Sequence, residues 1–459
     1  MTPTSSDRAA FLGWARQSLT PLATVAADTH WKDLEALGAM IGDARVVALG
    51  EGDHFGAEPM LFRNRLLQYL VEQKGFTAVA IESGTVESRA VYNYVRDGSG
   101  DLATAVANGI SWTFDKLPQN HDLVRWLRQF NADPRCARKV NFYGFDVPGS
   151  PSNPHANRGV DTALVETLQF LERVDREAAA TFHERIDRLL PNLRFDLYSP
   201  TSAPGYHRLS QTERDVLTSS VADLVALLEA REAPYTAATS LEDYQWALRA
   251  AIGARQVDGW LRQCPLEWQA TSEQQKFLDV ASDLRDRAQA DNLEWIFQRE
   301  GPSGKILVYA HNGHLSTAAV KWRWCPLGNG ASSGGAKPGV YLHTVAGTYL
   351  RRRYGDQLFV IGNLIGGGSI GCQSFSQELP QVAADSLDGL AKDVGMPLFL
   401  LNLHTAPADV AGGLNQERQI GHGFKLPPNY QVLLELPARG AFDAVFYLDT
   451  VTPACDPTR

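Results

Sequence analysis

Two short apolar runs with a helix-forming stretch between them constrain this chain more than any other feature. Residues 45–49 (RVVAL) and 77–81 (TAVAI) are rich in β-branched residues and read as strands. Between them, residues 59–74 carry Leu66, Leu67 and Leu70 at helical spacing until Gly75 closes the segment. Strand, helix and strand at this spacing make a β-α-β unit, the element of a parallel sheet. Runs at 139–143 (KVNFY), 306–309 (ILVY) and 358–361 (LFVI) extend the pattern. The expected fold class is therefore α/β, with a largely parallel central sheet flanked by helices. Two C-terminal runs, 431–436 (QVLLEL) and 444–448 (AVFYL), are expected as added edge strands of antiparallel type.

From 161 to 299 the pattern changes. Leu164, Leu168 and Leu171 form one helical stripe, and Leu217, Val221, Leu224 and Leu228 form another behind the capping box Ser210 and Glu213. Strand signals are absent there, so the segment reads as a helical insertion forming a lid over a cleft. The resulting division is a helical lead-in (1–39), an α/β core in two stretches (40–150 and 300–450), the insertion (151–299) and a tail (451–459). Loops are expected at 149–159, 326–339 and 366–371, the last a glycine turn that lacks the ending of a phosphate loop.

Charge narrows the partners. With 43 basic against 52 acidic residues, the net charge of -9 disfavours nucleic acid and anionic membrane surfaces, leaving a small-molecule substrate. No apolar run reaches the about 20 residues needed to span a bilayer, and Arg16, Gln17, Thr20 and Pro21 break up the N-terminal segment before a signal-peptide core forms. A cytoplasmic location is expected. Cys136, Cys264, Cys325, Cys372 and Cys455 are odd in number and widely spaced, which reads as incidental thiols rather than a disulfide framework. No sequence feature sets an oligomeric state.

The titratable residues gather where strands end. GEGDHFGAE follows the first strand and places Glu51, Asp53, His54 and Glu58 at the carboxyl edge of the sheet, where open α/β folds form their pockets. Glu58 also suits a helix N-terminus, where a carboxylate favours the dipole. Arg63 shares the stripe of Leu66, Leu67 and Leu70, so a guanidinium is expected on the packed face, with Glu82 at the end of the next strand as its partner. A second cluster, Ala310-His311-Asn312-Gly313-His314, follows the strand ILVY. His54, His311 and His314 with Glu51 and Glu82 fit either a metal site or a metal-free acid/base site, and spacing alone leaves both open.

These motifs resemble the erythromycin esterase family. GEGDHFGAE is similar to its G-E-x-x-H signature with a following glutamate, GFTAVAIE to its second strand, and YAHNGH to its A-H-N-x-H strand end. Matches at 126–131 (WLRQFN), 143–146 (YGFD), 285–295 (RDRAQADNLEW) and 350–362 (LRRRYGDQLFVIG) keep the same order over about residues 40–450. The resemblance implies a hydrolase of macrolide lactones that needs no metal or other cofactor and forms no acyl-enzyme. His54 would be the general base, Glu51 and Glu82 its carboxylates, with Arg63, His311, His314, Glu58 and Asp53 binding substrate or stabilising charge. Asp53 and Phe55 stand where members commonly carry threonine and glycine, with Gly56 taking the displaced glycine. A carboxylate at Asp53 is expected to raise the base's pKa, and the Phe55 ring to narrow the pocket.

The leading expectation is thus a metal-independent hydrolase of an ester or lactone in a natural product, in antibiotic resistance or natural-product biosynthesis. The alternative uses the same acid/base groups for elimination, cyclisation or acyl transfer. A catalytically inactive binding protein ranks last, because the site residues are intact.

Overall fold

The computed structural model describes residues 5–27, 30–136, 138–148, 161–193, 205–263, 272–326, 340–373, 375–379, 381–384, 386–407, 410, 416–419 and 430–456. Its strands in chain order are β1 (Thr20–Pro21), β2 (Val46–Glu51), β3 (Ala78–Gly84), β4 (Asn141–Asp146), β5 (Ile306–His311), β6 (Val320–Pro326), β7 (Val340–His343), β8 (Leu358–Ile365), β9 (Ser369–Cys372), β10 (Phe375–Glu378), β11 (Leu398–Asn402), β12 (Gln416–Gln419), β13 (Tyr430–Glu435) and β14 (Ala444–Leu448). The chain forms two compact units, Met1–Glu82 with Leu117–Asn141 and Leu293–Arg459, and Ser83–Lys116 with Phe142–Asn292. The loop expected at 149–159, and everything past Pro326 in the one expected at 326–339, lies outside the described residues.

The central sheet has eight strands in the order β1-β11-β14-β8-β2-β5-β3-β4. β2 pairs in parallel with β5 and β8, β3 with β5, and β14 with β8. Every residue of β2, β3 and β5 is buried, as parallel strands require when both faces are covered. The β-α-β unit is present, but its strands are not neighbours, because β5 takes the place between β2 and β3. The linking helix Ala57–Lys74 buries Arg63, Leu66, Leu67 and Leu70 on one stripe. It ends where Gly75 adopts φ +70°, a left-handed turn that glycine takes without a Cβ penalty.

Three sequence expectations need correction. β14 is no edge strand: it lies between β8, to which it is parallel, and β11, to which it is antiparallel. β11, a leucine-rich run, supplies the neighbour that makes β14 internal, and β1 closes that side. The strand expected at 431–436 appears as β13 but belongs to a separate four-stranded sheet, β12-β13-β6-β7, where it pairs antiparallel with β12 and β6. Finally, Cys372 and Cys455 form a disulfide across 83 residues, because β9 and the last described residues run side by side. Cys136 remains a free thiol.

The second unit is helical over its later part, with Thr162–Val174, Arg176–Ile186, Gln211–Ala230 and Leu241–Gln263 its principal helices. Leu164, Leu168, Leu171, Leu217, Val221, Leu224 and Leu228 sit in one apolar cluster, so both stripes face a common core. The capping box forms: Ser210 N–H donates to Glu213 Oε2 at 2.9 Å, and Glu213 N–H donates to Ser210 Oγ at 3.3 Å. Among the described residues no helix is long and apolar enough to cross a membrane. Ser210→Ala removes one half of the box and leaves a helix N–H without its protein acceptor, so urea denaturation should show a loss of about 1 kcal/mol. An unchanged midpoint and slope would mean that water replaces the cap at no cost.

Candidate active site

Glu51 and His311 are direct partners in the parallel register of β2 and β5, so both side chains leave the sheet at the same level. Three residues after Glu51, the turn brings His54 back until its Nδ1 lies 2.7 Å from Glu51 Oε2. Both groups are buried. Burial pulls the His54 pKa down, but the charge and hydrogen bond of Glu51 outweigh it, Glu82 adds to the rise, and the net shift is upward. Of the two carboxylates close to His54 in sequence, Asp53 and Glu51, it is Glu51 that makes the direct contact.

The second histidine behaves in the opposite way. His311 lies 5.1 Å from His54 between ring centroids. Its Nδ1 accepts the Gly313 N–H at 3.1 Å, so the neutral ring carries its proton on Nε2. Among the described residues that buried Nε2 has no partner in full hydrogen-bonding geometry, while the nearby Gly52 backbone raises the ring's pKa less than the charges around it move it. Burial, then repulsion from His54, pushes the His311 pKa well below the ordinary imidazole value, against the pull of Glu82. The two titrations are thus pushed apart, His54 upward and His311 downward, as happens to neighbouring imidazoles when only one has a carboxylate in contact.

Glu82 lies at this sheet edge as expected, but Arg63 is not its partner. Its Oε2 accepts the His311 backbone N–H at 2.9 Å and its Oε1 lies 3.3 Å from His314 Nε2. Arg63 instead donates to Asn64 Oδ1 from Nε at 3.0 Å and from Nη2 at 2.8 Å, to Asn120 Oδ1 at 2.8 Å and to the Gln119 carbonyl at 3.3 Å. Its guanidinium also covers the Tyr309 ring, 4.9 Å from the centroid. A buried cation is therefore held by neutral oxygens and an aromatic face rather than by a contacting carboxylate, an arrangement that leaves its charge available. The Tyr309 phenol is buried too, and burial with the nearby Glu51 charge keeps it protonated.

Asp53 lies in the turn after β2 and Glu58 in the first turn of the helix that follows. Asp53 is buried next to Gly56, where a Cβ would come within 2.7 Å of Asp53 Oδ1, so the glycine is sterically required. Glu58 accepts Thr452 N–H and Thr452 Oγ1–H, each at 2.7 Å, which ties the start of its helix to the C-terminal residues. Among the described residues no three His, Cys, Asp or Glu side chains are set to share one metal ion.

Sequence reading passed over two asparagines that hold this edge together. Asn312 Nδ2 donates to the Asn363 carbonyl at 2.7 Å and its Oδ1 accepts the Asn363 N–H at 3.0 Å. Asn363 Oδ1 in turn accepts the Gly52 N–H at 3.0 Å, and its Nδ2 reaches the Phe446 carbonyl at 3.2 Å. The ends of β2, β5, β8 and β14 are thereby bolted to one another. Gly50 is glycine because a Cβ there would overlap Asn312 Oδ1. The one available signal was the position of Asn312 between the two histidines.

The profile of the erythromycin esterase family matches residues 71–451. The chain is 26% identical to erythromycin esterase type II of Escherichia coli over 314 residues, covering 68% of this chain and 70% of that protein. Its fold is shared with a Bacillus cereus protein of known crystal structure (TM-score 0.73, 22% identity, 98% and 99% of the two chains). It is also shared with a variant of the erythromycin esterase EreC in an open conformation (TM-score 0.69, 18% identity, 95% and 98%).

Asn363→Ala would strand the buried Gly52 N–H while removing the link to Phe446. A loss of about 1–3 kcal/mol in denaturant unfolding is expected, since the group left without a partner cannot reach water. A variant as stable as the parent would show that the turn after β2 does not depend on this network.

Proposed function

The chain belongs to the erythromycin esterase family of esterase-type hydrolases, and we propose that it opens an ester or lactone of a macrolide-like natural product by direct addition of water, with His54 as general base. The contact between Glu51 and the His54 imidazole is the observation that carries this reading. With Nδ1–H donated to the carboxylate, Nε2 of neutral His54 holds the lone pair that takes a proton from water. The hydroxide adds to the carbonyl carbon, and the oxygen that gains charge is met by Arg63 and by the Nε2–H of His311. Collapse of the tetrahedral intermediate breaks the bond to the alkoxide, which receives the proton from His54. Ester and water become acid and alcohol, with no bond to the protein.

Each neighbour has a part in this sequence. Glu51 stabilises the imidazolium that forms, and Glu82 fixes the second cluster through the His311 backbone and His314. A neutral His311 is the useful form, because a second imidazolium beside His54 would oppose proton uptake by the base. Charge stabilisation by Arg63 and His311 supplies what a metal ion would otherwise provide.

His54→Asn keeps a hydrogen-bonding side chain without a base that works near neutral pH. Against erythromycin and a panel of lactones, kcat should fall by about 10²- to 10⁴-fold while thermal melting stays near that of the parent. Reaction of the parent in ¹⁸O-water should place one label in the product carboxylate and proceed equally after exhaustive chelation. Product without label would point to elimination instead, and parental kcat in the variant would remove His54 from the role.

The pH profile follows from the upward shift of His54. Only the neutral imidazole can accept a proton, so activity is lost as pH falls through the raised pKa, and the acid limb of kcat/KM should lie above the ordinary value of about 6.5. In Glu51→Gln the largest raising influence is gone, and burial is opposed only by the weaker pull of Glu82. That limb should move down in pH as the maximal rate drops; a limb that stays in place would assign it to another group.

A further inference from the structure

Behind His54, the carbonyl of Phe55 accepts two backbone hydrogen bonds, from Gly371 N–H at 3.2 Å and from Ala454 N–H at 2.9 Å. Each donor is the immediate neighbour of a half-cystine, and those two, Cys372 and Cys455, are joined to each other. The grip continues along the turn: Gly56 bridges Pro453 in antiparallel fashion and Ala57 N–H donates to the Thr452 carbonyl at 2.8 Å. The same C-terminal residues reach the cradle of Arg63, because Gln119, whose carbonyl accepts from Arg63, donates its side-chain amide to the Ala454 carbonyl at 2.9 Å.

Phe55 itself has φ +66°, in the left-handed region that a bulky residue keeps only when its surroundings impose it. Two N–H donors fix its carbonyl, and both come from segments that the disulfide, together with backbone hydrogen bonds near Val451, holds side by side. Without the cross-link the two segments stay joined near Val451, where Ser369 N–H donates to the Val451 carbonyl and Val451 N–H to the Gly367 carbonyl, each at 3.0 Å, but beside Phe55 they keep only the Cys455 N–H to Gly371 carbonyl contact at 3.4 Å.

We propose that the Cys372–Cys455 disulfide is a positioning device for His54, and that a dithiol reductant releases the turn and lowers turnover. Cys455 is part-exposed and Cys372 buried, so a thiolate of the reductant attacks the sulfur of Cys455 and Cys372 leaves as thiolate. The second thiol of the reductant then displaces Cys455. Two electrons and two protons pass to the cysteines, and the reductant departs as its own cyclic disulfide. Air or an oxidised dithiol reverses the step.

The activity part of this inference rests on the hydrolase reading; the structural part does not. The full-length protein, oxidised or treated with dithiothreitol, and the Cys372→Ala/Cys455→Ala double variant are compared at a temperature where near-ultraviolet circular dichroism shows each to be folded. Hydrogen exchange should be about tenfold faster at the Ala57, Gly371 and Ala454 amides of the reduced protein and of the variant, with the amides of β2 and β5 unchanged. Erythromycin hydrolysis should lose about tenfold in kcat with KM within about twofold, as expected for a base displaced from its working position. Reoxidation should restore the parent, and the variant should ignore the reductant. Unchanged exchange at the three amides, or a uniform rise across the whole chain as from a general staple, overturns the inference. If neither form hydrolyses any lactone, the hydrolase reading fails while the exchange data still decide the clamp.

Discussion

Two buried carboxylates with a single strand between them set the terms for everything else at this sheet edge. Glu51 closes β2, Glu82 lies near the end of β3, and β5 occupies the slot between those strands. A buried carboxylate must be hydrogen-bonded or paired, because desolvation otherwise drives it to the neutral acid. Each finds a different histidine. Glu51 holds the His54 ring; Glu82 holds the backbone of His311 and the ring of His314. The placement of one strand thus turns two carboxylates and three imidazoles into two separate acid–imidazole groups. Their environments push the titrations of His54 and His311 apart, which is how an acid/base site obtains distinct roles from identical side chains.

Arg63 follows the same logic with the opposite sign. Had it paired with Glu82, the two charges would largely have cancelled, and His314 would have lost its partner. The helix Pro118–Ala132 instead presents Asn120 and the Gln119 carbonyl to the guanidinium, while Asn64 from its own helix adds a third acceptor group. Neutral amide oxygens satisfy the donors without quenching the charge. Burial lowers the Arg63 pKa, yet guanidinium lies so far above neutrality that the group stays cationic. The result is a fixed positive charge beside Tyr309.

Much of this was legible in sequence where the signal was local. The strand ends that carry Glu51, Glu82 and His311 were readable because short β-branched runs stop at polar residues, and Ser210 with Glu213 was readable because a capping box needs four residues only. Pairings made across the chain were not. β1 is two residues long and shows no period, and β11 reads LFLLN, whose leucines suit a helix as well as a strand. The interior place of β14 depends on that missed neighbour. Arg63 was correctly put on the packed face, but two of its acceptors, Asn120 and the Gln119 carbonyl, belong to a helix more than fifty residues away that no periodicity connects to it. The disulfide spans 83 residues and has no local signature at either cysteine.

The residues that depart from the family pattern make sense in the light of the C-terminal residues 451–455. A glycine at position 55 would reach φ +66° without help, whereas phenylalanine is kept there by buried surroundings that include the Gly371 and Ala454 donors. A buried Asp53 side chain leaves no room for a Cβ at position 56, so the glycine has shifted one place along rather than vanished. Thr452, bound by both oxygens of Glu58, and Ala454, bound to Gln119, carry these restraints from the turn to the start of one helix and to the cradle of Arg63. Residues that look like a tail by composition are therefore part of the frame that fixes the base relative to the cation. Backbone hydrogen bonds do this work almost regardless of side-chain identity, which is why no motif in residues 451–455 announces it.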